Sequence, residues 1–294
     1  MNLYRSVKKQ EGGGTGGTDV YMDGVKSSAS RVDLNSPIAL PYAFSMGSVV
    51  LFNNEVHILG GSYSLTNHYK WNGTTWSEVS TLPYNFAYGR AVVYNNEIHI
   101  LGGSSDNLHY KWNGTTWSEV STLPYGFRAG GAVVYNNEIH IFGGLDNKTN
   151  HYKWNGTAWS EVSIIPYDFA YGSAIVYNNE IHILGGYTGA ARTNHYKWNG
   201  TTWSEVSTLP YNFYYSSAIV YNNEIHVLCG SNSTYNKKHY KWNGTAWIEL
   251  SDMFWEHCDT GIVFNNTIIM VGGSYSHNFI DKVGDIYKQV IVTS

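Results

Sequence analysis

HYKWNGTTWSEVSTLPY, residues 109–125, returns in recognisable form from His68, His151, His195 and His239. A second unit, AVVYNNEIHILGG at residues 91–103, recurs between the copies. Its six versions end at Gly61, Gly103, Gly144, Gly186, Gly230 and Gly273, spaced 42, 41, 42, 44 and 43 residues apart. A period of this size marks a propeller, solenoid or array, in which each unit buries its apolar face against the next.

Each period divides into four β runs. Ala91–Tyr94 and Glu97–Leu101 flank Asn95-Asn96, and a type I′ turn needs two residues that tolerate positive φ, as Asn does. Leu108–Trp112 and Trp117–Val120 flank Asn113-Gly114, a strong hairpin signal. Taken as a two-residue turn, it sets Tyr110 opposite Trp117 as an aromatic cross-strand pair. No helical periodicity competes. The expectation is a series of four-stranded antiparallel meanders, strands a to d, arranged radially as propeller blades.

The double glycine after an apolar strand, with Tyr and Trp at spaced positions downstream (Gly102-Gly103, Tyr110 and Trp117 here), resembles the kelch repeat. The resemblance covers about residues 40–290, although the first glycine gives way to Cys229 in the fifth unit. It implies an all-β, six-bladed kelch β-propeller with four-stranded antiparallel blades. It leaves function open, because one fold hosts many functions. The sixth unit lacks the Trp-Asn-Gly segment. Val283–Lys288 is read as its strand c, with Tyr287 in the place of Tyr110. Leu34 precedes Pro41 by seven residues, as Trp76 precedes Pro83. An N-terminal strand within about residues 30–35 is therefore expected to close the last blade, with residues 289–293 as the alternative. The domains are then a glycine-rich leader, 1–29, and a propeller, 30–294.

Composition narrows the function classes. The chain has 294 residues, 14% of them charged, and a net charge of −4. No basic stripe suggests nucleic acid, and no apolar run is long enough for a membrane helix. Two cysteines, Cys229 and Cys258, give no disulfide framework and are read as free thiols. The first residues lack the apolar core of a signal peptide. The expected location is the cytoplasm, or a particle assembled there and released by lysis. Gly12–Gly17 fits GxGxxG, but without a preceding strand or following helix it reads as a hinge. Val20–Val25 suggests a small hairpin turning at Asp23-Gly24.

Function is sought where the copies differ. The a–b and c–d turns lie at one end of a blade and are monotonous. The b–c and d–a connections lie at the other end and vary, as binding surfaces on rigid scaffolds do. The recurring Leu-Pro-Tyr-x-Phe of the d–a loops is read as packing between blades. Two residues after each Phe stand Met46, Tyr88, Ala129, Tyr171 and Tyr215, with Cys258 in that place of the sixth unit by alignment, and these are expected at the channel mouth. Two further on come Ser48, Arg90, Gly131, Ser173 and Ser217, with Thr260 aligned to Arg90 in the sixth unit. Aromatic platforms beside arginine suit sugar rings and the anionic groups they carry. The candidate ligand residues are Tyr88, Arg90, Arg128, Tyr171, Arg192, Tyr214, Tyr215 and Trp255.

Catalysis finds less support. The histidines repeat blade by blade, one position on strand b and one on strand c, and metal sites need convergence. They are read as packing residues with locally satisfied nitrogens, and no metal or other cofactor is expected. Some kelch proteins are copper oxidases, but the surroundings of Cys229 and Cys258 lack their motif. The GTTW turn is similar to the end of a sialidase Asp-box, yet Trp112 stands at the Asp position. Asp146, Asp168, Glu256 and Asp259 are acids on the variable face by location only. Glu97, Glu119 and their copies are read as solvated. The five Asn-Gly-Thr sequons are read as turns.

The near-identical blades and short foreign leader resemble tail, baseplate or receptor-binding proteins of phages or phage tail-like particles of Gram-positive hosts. That resemblance implies a non-enzymatic host-recognition module, binding a surface glycan or protein. The leader would dock to other particle subunits, with Tyr4, Arg5 and Tyr21 as docking candidates. The alternatives are an intracellular kelch scaffold for a protein partner and a glycan-active enzyme.

Overall fold

A computed structural model describes residues 21–22, 25–26, 38–62, 65–104, 107–232, 234–235, 237–253, 260–272 and 279–283. The chain divides into two units, one of Pro37–Asp285 and one of Met1–Ser36 with Ile286–Ser294. In the second, the described part is a hairpin in which Tyr21–Met22 pairs with Val25–Lys26. Everything below concerns the first.

That unit is an all-β propeller. Five complete four-stranded antiparallel blades follow one another, each a meander in chain order, with part of a sixth. Blade two is representative: strand a is Arg90–Tyr94, b Glu97–Leu101, c Leu108–Trp112 and d Trp117–Thr122. Strands a lie side by side in blade order, and Thr260–Phe264 returns beside Ser48–Phe52, so the ring closes. In the partial sixth blade Thr260–Phe264, Thr267–Val271 and Phe279–Val283 are joined at the outer edge by Ile38–Ala39. The chain's N-terminal side thus supplies the closing strand. Ile38 and Ala39 occupy the places of Ser121 and Thr122. The window 30–35 and the alternative 289–293 lie outside the described residues.

The apolar core lies between blades. Val50, Phe52 and Leu59 of blade one meet Leu82, Phe86, Ile98, Ile100 and Trp112 of blade two in one buried cluster. The same arrangement joins blade six to blade one through Phe264, Ile269 and Val271 against Phe44, Ile58 and Trp71. The phenylalanines of the Leu-Pro-Tyr-x-Phe loops are fully buried, and the tyrosine hydroxyls donate to the first carbonyl of the double glycine, as from Tyr84 to Gly102 at 2.8 Å. These fixed aromatics are packing residues, as expected.

The Asn-Asn turns are left-handed at both positions in all six units, with φ between 47° and 59°. The Asn-Gly turns differ from expectation. Trp112 pairs with Trp117, and Tyr110 with Glu119, so the connection has four residues and not two. The cause is the Asn113 side chain, whose Oδ1 accepts the N–H groups of Thr115 and Thr116 at 2.9 and 3.0 Å and wraps the wider turn. A second correction falls in the sixth unit. Its strand c is Phe279–Val283, and Asp281 takes the place of Tyr110 opposite Met270. The Phe-Ile run that directly follows the loop pairs with the apolar strand b, which leaves Tyr287 beyond it and outside the described residues. A third concerns cysteine: Cys229 is disulfide-bonded, not free. The sequence holds one other cysteine, Cys258, outside the described residues.

The repeated glutamates are not simply solvated. Glu97 on strand b pairs with Lys111 on strand c at 2.9 Å, and blades one, three, four and five repeat the bridge. Glu119 accepts the Tyr110 hydroxyl at 3.3 Å.

The histidines pair within each of the five complete blades. His99 and His109 sit diagonally across strands b and c, with Nδ1 of the first 2.8 Å from Nε2 of the second. His57–His68, His140–His151, His182–His195 and His226–His239 repeat this distance. In blades one to four the strand c ring also meets a serine that the next blade's tryptophan reaches. His68 Nδ1 lies 3.2 Å from Ser80 Oγ, which accepts the Trp117 indole N–H at 3.1 Å. Burial in this seam lowers the pKa of strand b rings to about 4, and of strand c rings to between about 2 and 4. Among the described residues no three metal-ligating side chains converge.

Candidate functional site

The site forms at the end of the ring where the loops vary. Met46, Tyr88, Ala129, Tyr171 and Tyr215 all have left-handed backbone, with φ between 49° and 62°. Such values are uncommon outside glycine and cost roughly 1–2 kcal/mol each. Neighbouring blades enforce them. The N–H of Tyr88 donates to the carbonyl of Met46, Ala129 to Tyr88, Tyr171 to Ala129 and Tyr215 to Tyr171, at 2.7–3.1 Å. A collar of backbone hydrogen bonds therefore passes from blade to blade around the mouth. Cys258, next in the series, lies outside the described residues. Ala129 gives a direct check of the strain. Ala129→Gly should raise stability by about 0.5–1 kcal/mol, read from the urea midpoint, because glycine takes this conformation without a Cβ penalty.

The collar side chains, with Arg90 and Thr260 from the starts of strands a in blades two and six, line one open pocket. Tyr88, Arg90, Tyr171 and Tyr215 line it together with Met46, Gly47, Ala129, Ser216 and Thr260. The Tyr171 and Tyr215 rings lie 4.4 Å apart, and Tyr88 meets Tyr171 edge-on at 6.3 Å. Burial, then the hydrogen bond with Tyr171, holds the Tyr215 phenol far above its ordinary range, so it stays protonated. Arg90 keeps some access to water through the mouth, yet protein surrounds its guanidinium. That desolvation lowers its pKa to about 10, which leaves it cationic at neutral pH.

The remaining predicted residues fall elsewhere. The Tyr214 ring lies tilted against Tyr187, centroids 5.1 Å apart, and against Tyr215 at 5.5 Å, extending the aromatic surface towards the b–c loop of blade four. Arg192 lies in that loop, near Tyr167. Arg128 lies in the d–a loop before blade three, its carbonyl accepting from Leu145. Both arginines have a buried Nε without a partner, but neither lines the pocket. Asp168 sits 4.0 Å from Lys148, a surface pair. Trp255, Glu256, Asp259, Tyr4 and Arg5 lie outside the described residues, and Tyr21 belongs to the small hairpin of the other unit. Ser216 and Thr260 are not among the candidate ligand residues; Ser216 directly follows the collar residue Tyr215, and Thr260 holds the place of Arg90 in the sixth unit.

Fold and site together define a β-propeller with an aromatic, cation-bearing channel mouth. A solved structure described as "Structure of YjhT" is similar to the chain, with a TM-score of 0.72 at 14% identity, over 83% of this chain and 94% of that one. At that identity the likeness concerns the fold. No protein-family model and no curated protein matches the chain.

Proposed function

We propose that the chain is a six-bladed kelch propeller that works as a non-enzymatic binding module. It recognises a glycan or protein on a host surface as part of a phage tail or tail-like particle, to which its N-terminal segment attaches it. The observation that carries this reading is the collar: three tyrosines are held in strained backbone around an open mouth, at the end where the loops vary. Strain held by surrounding structure at such a place favours a binding role. Among the described residues none that lines the pocket is acidic, which weighs against glycoside hydrolysis by paired carboxylates there. The disulfide at Cys229 favours an oxidising, extracellular setting over an intracellular scaffold.

The test is binding of labelled chain to intact Gram-positive bacteria and to purified cell-wall glycans. It runs beside a Tyr88→Ala, Tyr171→Ala, Tyr215→Ala variant whose fold is checked by circular dichroism. Saturable binding weakened at least tenfold in the variant is expected. Absence of binding, or equal binding by the variant, would remove the recognition role of this mouth.

A further inference from the structure

The first position of strand a carries a serine in three blades, while Arg90 stands there in blade two, Gly131 in blade three and Thr260 in blade six. Ser48, Ser173 and Ser217 stand there in blades one, four and five. Each hydroxyl oxygen accepts a backbone N–H from the next blade, of Ala91 at 2.9 Å, Ala218 at 3.2 Å and Gly261 at 2.8 Å. They staple neighbouring blades just inside the collar. Blade two has Arg90, whose guanidinium has no acceptor and cannot make this staple. Among the described residues no carboxylate lies within salt-bridge distance of it. Its side-chain hydrogen bond goes to the carbonyl of the adjacent Gly89, at a long 3.3 Å. A cation removed from bulk water and left without a counter-charge is costly. A position that forgoes a repeated stabilising contact for such a cation is a place to look for function.

From this we infer that the mouth binds a singly charged oxyanion, with Arg90 as its counter-charge and the tyrosines as its wall. The inference rests on the reading of this face as a ligand-binding one, and it names the chemistry that the face takes. Among the described residues one guanidinium stands in the pocket without a second cation, so one negative charge is balanced, whereas a phosphomonoester would bring more. The planar fork of the guanidinium matches two oxygens of a carboxylate or of a phosphodiester. Tyr88, Tyr171 and Tyr215 supply aromatic faces and hydroxyls for the body that carries the anion, and Met46 and Ala129 make the adjoining wall apolar. A sugar bearing one such group, seated against the open mouth, suits this chemistry.

Arg90→Ser is the discriminating variant, because it installs the residue that blades one, four and five already use. It should fold, keep the collar and regain the staple. The probes are D-glucuronate, dimethyl phosphate, D-glucose and inorganic phosphate, titrated calorimetrically at neutral pH and fixed ionic strength. Saturable binding of glucuronate or dimethyl phosphate, at least tenfold tighter than glucose and at least tenfold weaker in Arg90→Ser, is expected. The tighter of the two identifies the kind of oxyanion. No binding of either monoanion would overturn the inference, as would unchanged binding by Arg90→Ser or a preference for inorganic phosphate. The parent reading fails separately. Cell binding that occurs without any Arg90-dependent binding of glucuronate or dimethyl phosphate would leave host recognition standing and remove the anion site. Arg90-dependent glucuronate binding without any cell binding would do the reverse.

Discussion

On acidification the propeller should unfold cooperatively between about pH 6 and pH 4, above the range in which most carboxylates titrate. The ten paired histidines set that window. In the unfolded chain each titrates near 6.5. In the folded chain burial holds them neutral down to about 4 on strand b, and to between about 2 and 4 on strand c. Above about pH 6.5 both states are neutral and the full stability is present. Below it the unfolded chain takes up protons that the native seams refuse, and stability falls until the pH reaches the folded values. Each group then contributes a slope of up to about 1.4 kcal/mol per pH unit. Ten such groups overwhelm an ordinary stability of about 5–15 kcal/mol within a unit or two. The check is the urea midpoint followed from pH 8 to pH 4, with proton uptake on unfolding. The sixth blade supplies a control variant, since Ile269 and Ile280 occupy the two histidine places there. His140→Ile with His151→Ile should reduce the uptake by close to two protons. A midpoint that does not move down to pH 4 would overturn this account of the seams.

The second large effect is expected at the double glycine. Gly102→Ala should lower stability by about 3 kcal/mol or more. Gly102 has φ +60°, and a Cβ there would come within 2.0 Å of the Phe127 carbonyl oxygen. That oxygen cannot retreat, because it accepts the N–H of Gly103 at 2.8 Å and so ties blade two to the loop entering blade three. Backbone strain of roughly 1–2 kcal/mol adds to an overpacking cost of roughly 1–3 kcal/mol. Gly114→Ala separates the two contributions. Gly114 also has positive φ, but nothing lies within 4 Å of a Cβ there, so only strain is paid. Denaturant unfolding of both variants decides the matter. Equal losses, or a Gly102→Ala loss below about 1 kcal/mol, would mean that the contact is soft.

Much of this architecture is legible in the sequence because the repeat isolates each signal. The Asn-Asn pairs announce left-handed turns, and six of them are left-handed. The position two after each phenylalanine stands out by its variation, and it is the collar. What escaped the sequence depends on register or on three-dimensional neighbours. The Asn113 side chain adds two residues to a turn that its Asn-Gly dipeptide suggests is tight, and this shifts Tyr110 from Trp117 to Glu119. The pairing of His99 with His109 follows only once Leu101 is known to face His109. In the sixth unit an aromatic match drew attention to Tyr287, while burial of the strand b face selected Phe279–Val283. That Arg90 stands without a counter-charge among the described residues is a fact about space, and no pattern of residue types contains it.

The collar has a consequence for how this mouth can change. Its links run from one main chain to the next, so the ring of Met46, Tyr88, Ala129, Tyr171 and Tyr215 is tied by atoms that every residue type except proline possesses. The side chains are lodgers in a frame whose links do not run through them, although its left-handed backbone disfavours β-branched residues, and five positions already carry three different kinds. Lineages of this protein can exchange what the mouth displays one residue at a time, and laboratory libraries can do the same, while the barrel beneath registers little of the substitution.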